Sequence, residues 1–270
     1  MKKIIFILCL VLSVSLYGCF SLSAPSVNFP MVDSEILPEV PSAPPSSEIP
    51  EEDLDEEEEK KKKQYIVSLV DGLRVRSGPN ASSLVLGYLD KNDALELIEK
   101  NGDYYITNFK QKTAFVHASY CSVMEIEQAE EDVERAISTG AELLGYPYVW
   151  GSQRYHWGNG KLNTNFVQGE FDCSALVQYV YYVSNGVLLD VTSRAQASNG
   201  VEVKKSELKR GDLMFFTNAS RQNKTGVERI GHVGIYFGNN YILHTATDHA
   251  VIEPISSTRW GYYVTARRVV

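Results

Sequence analysis

Cysteine is scarce in this chain: the 270 residues include four, at positions 9, 19, 121 and 173. Two of them fall within the first nineteen residues, so the pair that remains is too small for a fold built on disulfides. Excess positive charge is also missing. The formal net charge is −8, and residues 20 to 64, with twelve acids against four lysines, account for all of it. The rest of the chain is close to neutral, which excludes the basic surface a nucleic-acid binder needs. No HExxH helix is present, and His244 and His249 are spaced to fall on opposite faces of a strand. Zinc hydrolysis is therefore a poor fit, and neither a metal nor a cofactor is expected. Long apolar runs are absent apart from the start of the chain, where the run is too short and too early for an ordinary membrane span.

That opening, MKKIIFILCLVLSVSLYGC over residues 1–19, has the two lysines and short apolar core of an export signal. Its end, Leu16-Tyr17-Gly18-Cys19, resembles the bacterial lipobox. The resemblance implies that Cys19 is lipidated, that it becomes the mature N-terminus, and that it ties the protein to a bacterial membrane facing the wall. Residues 20–64 are rich in Pro, Ser and acids and cannot bury a core; they read as an extended, self-repelling tether. From 65 to 123 the pattern changes to short alternating runs: YIVSLV, GLRVRSGPN, LVLGYL, LELIEK, DYYITNF and TAFVHASY. Six short strands in that length predict a small all-β barrel. The RSGP turn and the closing strand before Tyr120 resemble a bacterial SH3-like domain, which implies a role in guiding a wall enzyme or shaping its cleft. Arg74 and Arg76 alternate along one of these strands, suited either to wall carboxylates or simply to solvent. Cys121, beside Tyr120 at the segment's end, reads as a packed thiol.

A second domain is expected over 126–270. Ile126, Ala129, Val133, Ile137, Ala141 and Leu144 predict a helix over 124–145. FDCSALVQYVYYVS, residues 171–184, is apolar enough for a helix buried on nearly every side, with Asp172 as its N-cap and Cys173 in its first turn. Two readings fit that cysteine. It is a packed structural thiol, or it is a nucleophile biased toward thiolate by the positive end of the helix dipole. Strands are expected at 212–217, 232–237, 241–245, 251–254 and 262–269. Helices followed by strands give an α+β fold.

The strands supply partners for the cysteine. His232 begins GHVGIYF, Gly238-Asn239-Asn240 makes a turn, and His244 lies on the returning strand. A turn of odd length would set the two histidines directly opposite each other, about 5 Å apart between Cβ atoms. One ring would then take the thiol proton while the other fixes its orientation.

YVWGS, FDCSALV, LKRGDLMFF, GHVGIYFGNN and YILHTA, in that order, resemble the NlpC/P60 family of bacterial cell-wall cysteine peptidases, a compact relative of papain. The resemblance covers residues 126–270. It implies a peptidoglycan stem-peptide endopeptidase that hydrolyses a γ-D-glutamyl–diamino acid bond through a thioester. Cys173 would be the nucleophile, His232 the base and His244 the orienting residue, with Tyr148 helping the Cys173 N–H at the oxyanion. Asp172, Ser174, Ser193 and Arg194 fall where the family contacts the stem peptide, and Trp150 of the YxWG motif joins them as a substrate-binding candidate. Asp172 keeps its N-cap reading alongside. The partners expected are stem peptides and, through Cys19, a membrane; the protein is expected to be a monomer. The alternative is a non-catalytic or acyl-transferring wall-binding lipoprotein of the same fold. Ala175 and Ser152 replace family glycines. The 151–171 loop is longer than usual, and Tyr155, His156 and Trp157 make it a surface excursion packed by its own aromatics or a roof over the cleft. His117, His156 and His249 match no motif position and read as packing or surface residues.

Overall fold

The computed structural model describes residues 61–245 and 248–270. The leader, Cys19 and the tether up to residue 60 lie outside the described residues. Alternating runs become strands as expected: β1 (Lys62–Ser68), β2 (Leu73–Arg76), β3 (Val85–Leu89), β4 (Ala94–Glu96), β5 (Glu99–Asn101), β6 (Tyr104–Phe109), β7 (Lys112–His117) and β8 (Cys121–Glu127). Helices follow: α1 (Glu131–Glu142), α2 (Cys173–Asn185) and α3 (Ser193–Gln196). Then come β9 (Val201–Val203), β10 (Leu213–Phe216), β11 (His232–Gly238), β12 (Tyr241–Thr245), β13 (Ala250–Pro254), α4 (Ser257–Gly261) and β14 (Tyr263–Arg268).

The N-terminal region is all-β, but its strands divide between two antiparallel sheets. Five form one sheet, in the order β3-β2-β7-β6-β5. The other three extend the sheet of the second region, giving nine strands in the order β8-β1-β4-β13-β12-β11-β10-β14-β9. The junction is the pair Ala94 on β4 and Ile252 on β13. LELIEK, expected as one strand, splits into β4 and β5.

The helix expected from residue 124 begins instead at Glu131. Residues 121–127 pair with β1 along its whole length, Ser68 with Cys121 through to Lys62 with Glu127. In that setting Ile126 is buried while Glu125 and Glu127 are exposed, a period of two rather than 3.6. A buried ion-pair cluster clamps the same seam. Arg210, 8% exposed, donates to both Glu134 carboxylate oxygens at 2.6 and 3.1 Å, to the Tyr65 hydroxyl at 2.6 Å and to the Phe237 carbonyl.

Helix α2 forms the centre of the second region because it is apolar all round: every residue from Cys173 to Tyr181 is buried. Full burial of side chains such as Leu176, Val177 and Val180 stabilises the fold by about 1.5–3 kcal/mol each. The helix stops at Gly186, whose φ of 67° is left-handed and whose N–H bonds back to Tyr182. Tyr181 on its buried face donates its hydroxyl to the Gly211 carbonyl. These anchors hold the first turn still.

Candidate active site

Asp172 caps α2 as the sequence predicts, its Oδ1 accepting from the Ala175 N–H at 2.8 Å and from the Ser174 hydroxyl at 3.0 Å. Cys173 is the first residue of the helix and is 9% exposed. Its sulfur faces the backbone N–H groups of Ser174 and of Val233 on β11, the residue after His232. The expected bias toward thiolate is not what the surroundings give. Burial, with the Asp172 charge beside it, pushes the thiol up to about 11 against the helix-terminal N–H groups.

The two histidines meet, though by a different register. The turn is the two-residue Asn239-Asn240, both with left-handed φ of 48° and 63°, flanked by the pair Gly238 and Tyr241. A bulge between Tyr236 and Gly238 shifts the pairing by one, so that Ile235 faces Leu243. Continuing that register puts Gly234, not His232, opposite His244. The histidines are diagonal neighbours on one face, and His232 Nε2 lies 2.8 Å from His244 Nδ1. Gly234 makes room for this, since a Cβ there would stand 2.9 Å from that of His244.

Sequence reasoning missed the next member. His244, fully buried, places its Nε2 2.9 Å from Glu253 Oε1 on β13, and the same oxygen accepts from Arg259 at 3.1 Å. An ionised carboxylate only accepts hydrogen bonds, so Glu253 fixes the His244 hydrogen on Nε2 and leaves Nδ1 as an acceptor. His232 must then carry its hydrogen on Nε2. Its Nδ1 lone pair remains for the thiol proton. Burial, the His244 ring and the Arg259 cation hold His232 well below the usual histidine range, while Glu253 partly offsets the burial that lowers His244. Burial thus disfavours the charged form of both Cys173 and His232. Glu253 had a signal: a carboxylate in the otherwise apolar strand AVIEP.

Tyr148 arrives on a short bridge to Phe171, with Val149 N–H bonded to the Phe171 carbonyl at 3.1 Å. Its phenol is raised by burial and by the neighbouring Cys173 and Asp172. Tyr148 and His232 line one cleft of about 620 Å³ together with Phe216, Thr217, Asn218, Thr245 and Arg259. The other candidates divide. Ser174 and Asp172 adjoin the nucleophile, but both are bound by Arg154 from the long loop, at 3.1 and 2.9 Å. Arg154 also donates to the Val191 and Ser152 carbonyls at 2.6 and 2.8 Å. Ser152, a replaced glycine, accepts the Asp172 N–H at 2.7 Å. Ser193 and Arg194 open α3, where Arg194 lies 3.6 Å from Glu228; neither lines the cleft. Trp150 is 85% exposed and also outside its lining.

The long loop is packed by its own aromatics, as one of its two expected readings had it, with Tyr155 edge-on to Phe166 and Tyr179 at 5.2 Å. His156 is buried against Tyr182, His117 lies between Tyr104 and Tyr120, and His249 bonds Asp248. The Cys121 thiol, half-buried against the His117 carbonyl, is pushed up to about 12 by burial. It is a packing residue.

A cysteine at a helix N-terminus, packed against a sheet that carries a histidine and its orienting partner, is the arrangement of a papain-like fold. Residues 145–269 match the NlpC/P60 family and residues 71–122 the bacterial SH3 domain, so the chain carries an NlpC/P60 domain behind a bacterial SH3 domain. It is similar to the peptidoglycan DL-endopeptidase CwlO of Bacillus licheniformis, 34% identical over 56% of this chain and 31% of that protein. It is also similar to the γ-D-glutamyl-L-lysine dipeptidyl-peptidase of Bacillus subtilis, 31% identical over 62% of this chain and 50% of the relative. The chain thus spans half or less of the length of these relatives. Among solved structures, an NlpC/P60 family protein from Bacillus cereus is 22% identical, with a TM-score of 0.41 over 77% of this chain and 63% of the other.

Proposed function

We propose that the protein is a peptidoglycan stem-peptide endopeptidase, hydrolysing a γ-D-glutamyl–diamino acid amide through a thioester on Cys173. The observation that carries this reading is the line His232–His244–Glu253, bonded at 2.8 and 2.9 Å, ending at the cleft beside the Cys173 helix. The names of the relatives support the substrate class. Export and attachment at Cys19, with the acidic tether spanning toward the wall, complete the proposal.

In this reaction the Cys173 sulfur adds to the amide carbon as its proton passes to His232 Nδ1. The oxyanion that forms is steadied by the Cys173 backbone N–H and the Tyr148 hydroxyl. The C–N bond then breaks, and His232 returns the proton to the departing amine. Water, deprotonated by the same imidazole, attacks the thioester, releasing the γ-carboxylate and the thiol. Burial disfavours both the thiolate and the imidazolium, which favours His232 acting as a general base. Arg154 already pairs with Asp172, so among the described residues the carboxylate beside the nucleophile is engaged rather than free for a peptide's terminal ammonium. That supports cleavage within a longer substrate. Incubating the full chain with purified muropeptides, with products read by mass spectrometry, tests the proposal. Cleavage is expected at the γ-D-glutamyl bond and not with Cys173→Ala; intact substrate with wild type, or equal cleavage by the variant, refutes it.

A further inference from the structure

The 620 Å³ cleft continues past His232 and Tyr148 into a wall made by Thr217 and Asn218 after β10, Thr245 at the end of β12 and Arg259 in α4. Two of these side chains carry unsettled chemistry. Thr217 is 4% exposed and Thr245 is 1% exposed, yet neither hydroxyl oxygen has a hydrogen-bond partner among the described residues. A buried hydroxyl left unpaired costs free energy, so two of them on one cavity mark a place where a ligand completes the bonding. Asn218 stands beside them. Its Oδ1 accepts from Ser220, which leaves the amide N–H₂ as its outward donor, and Gly231 packs directly beneath that nitrogen.

The charge of this wall has one sign. Arg259 lines the cavity and spends one bond on Glu253; its remaining guanidinium N–H groups have no partner among the described residues. Its guanidinium also sits 5.7 Å over the Phe216 ring, which fixes its plane. Among the described residues no carboxylate lines the cavity, and Glu253, behind it, is already engaged by His244 and Arg259. An ammonium group entering here meets a cation and no counter-charge. A carboxylate meets the Arg259 guanidinium, with Thr217, Thr245 and Asn218 lining the cavity beside it.

The geometry points to a carboxylate-binding subsite for the leaving side of the scissile bond, with Arg259 as its charge and Thr217, Thr245 and Asn218 as its donors. This rests on the peptidase reading, and deepens it by naming what departs: an amine component that itself bears a carboxylate. Two sources have that chemistry. One is the side-chain carboxylate of a diamino dicarboxylic acid such as diaminopimelate, absent from lysine. The other is the α-carboxylate of a stem peptide that ends at the diamino acid.

Four substrates of the full chain separate these: tetrapeptide stems with lysine, with diaminopimelate, or with diaminopimelate amidated on its side chain, and the lysine tripeptide, which ends in a free carboxylate. A charge-assisted bond to Arg259 is expected to give on the order of ten- to a hundred-fold higher kcat/KM where the carboxylate is present. Preference for the diaminopimelate tetrapeptide over its amidated form assigns the side-chain carboxylate; preference for the lysine tripeptide over the lysine tetrapeptide assigns the α-carboxylate. Arg259→Gln, read as the ratio between paired substrates so that its effect on Glu253 cancels, is expected to collapse the preference, and Thr217→Val to reduce it. Equal rates on all four with wild type, or a preference that survives Arg259→Gln, overturns the inference. Should no peptide be cleaved, the peptidase reading fails by itself. The same four peptides titrated onto the Cys173→Ala chain by calorimetry then decide the subsite, equal affinities refuting it.

Discussion

Glu253 touches no substrate, yet it sets which nitrogen of His232 is free, so its removal should lower turnover and leave KM unchanged. Glu253→Gln keeps an oxygen for the His244 N–H but removes the charge. A bond from N–H to carboxylate is worth roughly 1.5–3 kcal/mol and one to a neutral oxygen roughly 0.5–1.5, so the loss is about 1.4 kcal/mol, a tenfold fall in kcat. Glu253→Ala is harsher. His244 is fully buried, and without an acceptor its hydrogen is free to move to Nδ1, which forces His232 to turn its own hydrogen toward the thiol. The loss of an orienting carboxylate from a Ser-His-Asp triad lowers kcat on the order of 10⁴, and a fall of about 10²–10⁴ is expected here. The decisive assay is a cycle with His244→Ala, using muropeptide hydrolysis for kcat and KM. If Glu253 acts through His244, adding Glu253→Gln to His244→Ala changes kcat by less than about twofold. A full tenfold loss in the His244→Ala background refutes the relay.

Three further outcomes follow from the same geometry. Alkylation of Cys173 by iodoacetamide should accelerate about tenfold per pH unit from pH 7 toward its raised value of about 11, whereas a plateau at neutral pH would mean a standing thiolate. His232 and His244 titrate below the usual histidine range in the fold, so the unfolded chain binds protons first as pH drops; stability should be full above about pH 6.5, fall below it, and fall less in His244→Ala, as read by thermal melts. Arg210→Ala leaves the half-buried Glu134 without its main cation and should cost about 1–3 kcal/mol in urea unfolding. Glu134 titrates low in the fold, a contribution present above about pH 4.5 and lost as pH falls through its depressed value, so the variant should show a weaker acid dependence in that window.

The candidate catalytic residues were legible because each sits in a local pattern whose physics is short-range. A capping aspartate before an apolar run places Cys173, and the alternating runs place His232 and His244 on neighbouring strands. The register was not legible. Asn239-Asn240 makes a two-residue turn that alone would put the histidines on opposite faces, and the bulge at Phe237 that restores the match depends on pairing with β12. Glu253 was missed because its role is set by a third strand, His244 pairing with Val251 and Glu253 lying diagonal to it. Arg154 was hidden for a similar reason: a loop residue eighteen positions upstream reaches Asp172 only once the aromatic cluster has folded. Of the two readings of Cys173, burial works against a standing thiolate. A helix terminus favours charge modestly, and burial of the sulfur outweighs it.

The shared sheet also bears on the N-terminal region's part in catalysis. Ala94 on β4 pairs with Ile252, the residue before Glu253, so the strand carrying the carboxylate of the relay has a neighbour from each region. Asp93, raised to about 6 by burial, stands next in line and feels the Glu253 charge. A catalytic region cut free at residue 128 would leave that edge of β13 unpaired and strip Tyr65 from Phe237 and Arg210. The all-β region thereby borders the site, its strand β4 pairing with the residue next to Glu253.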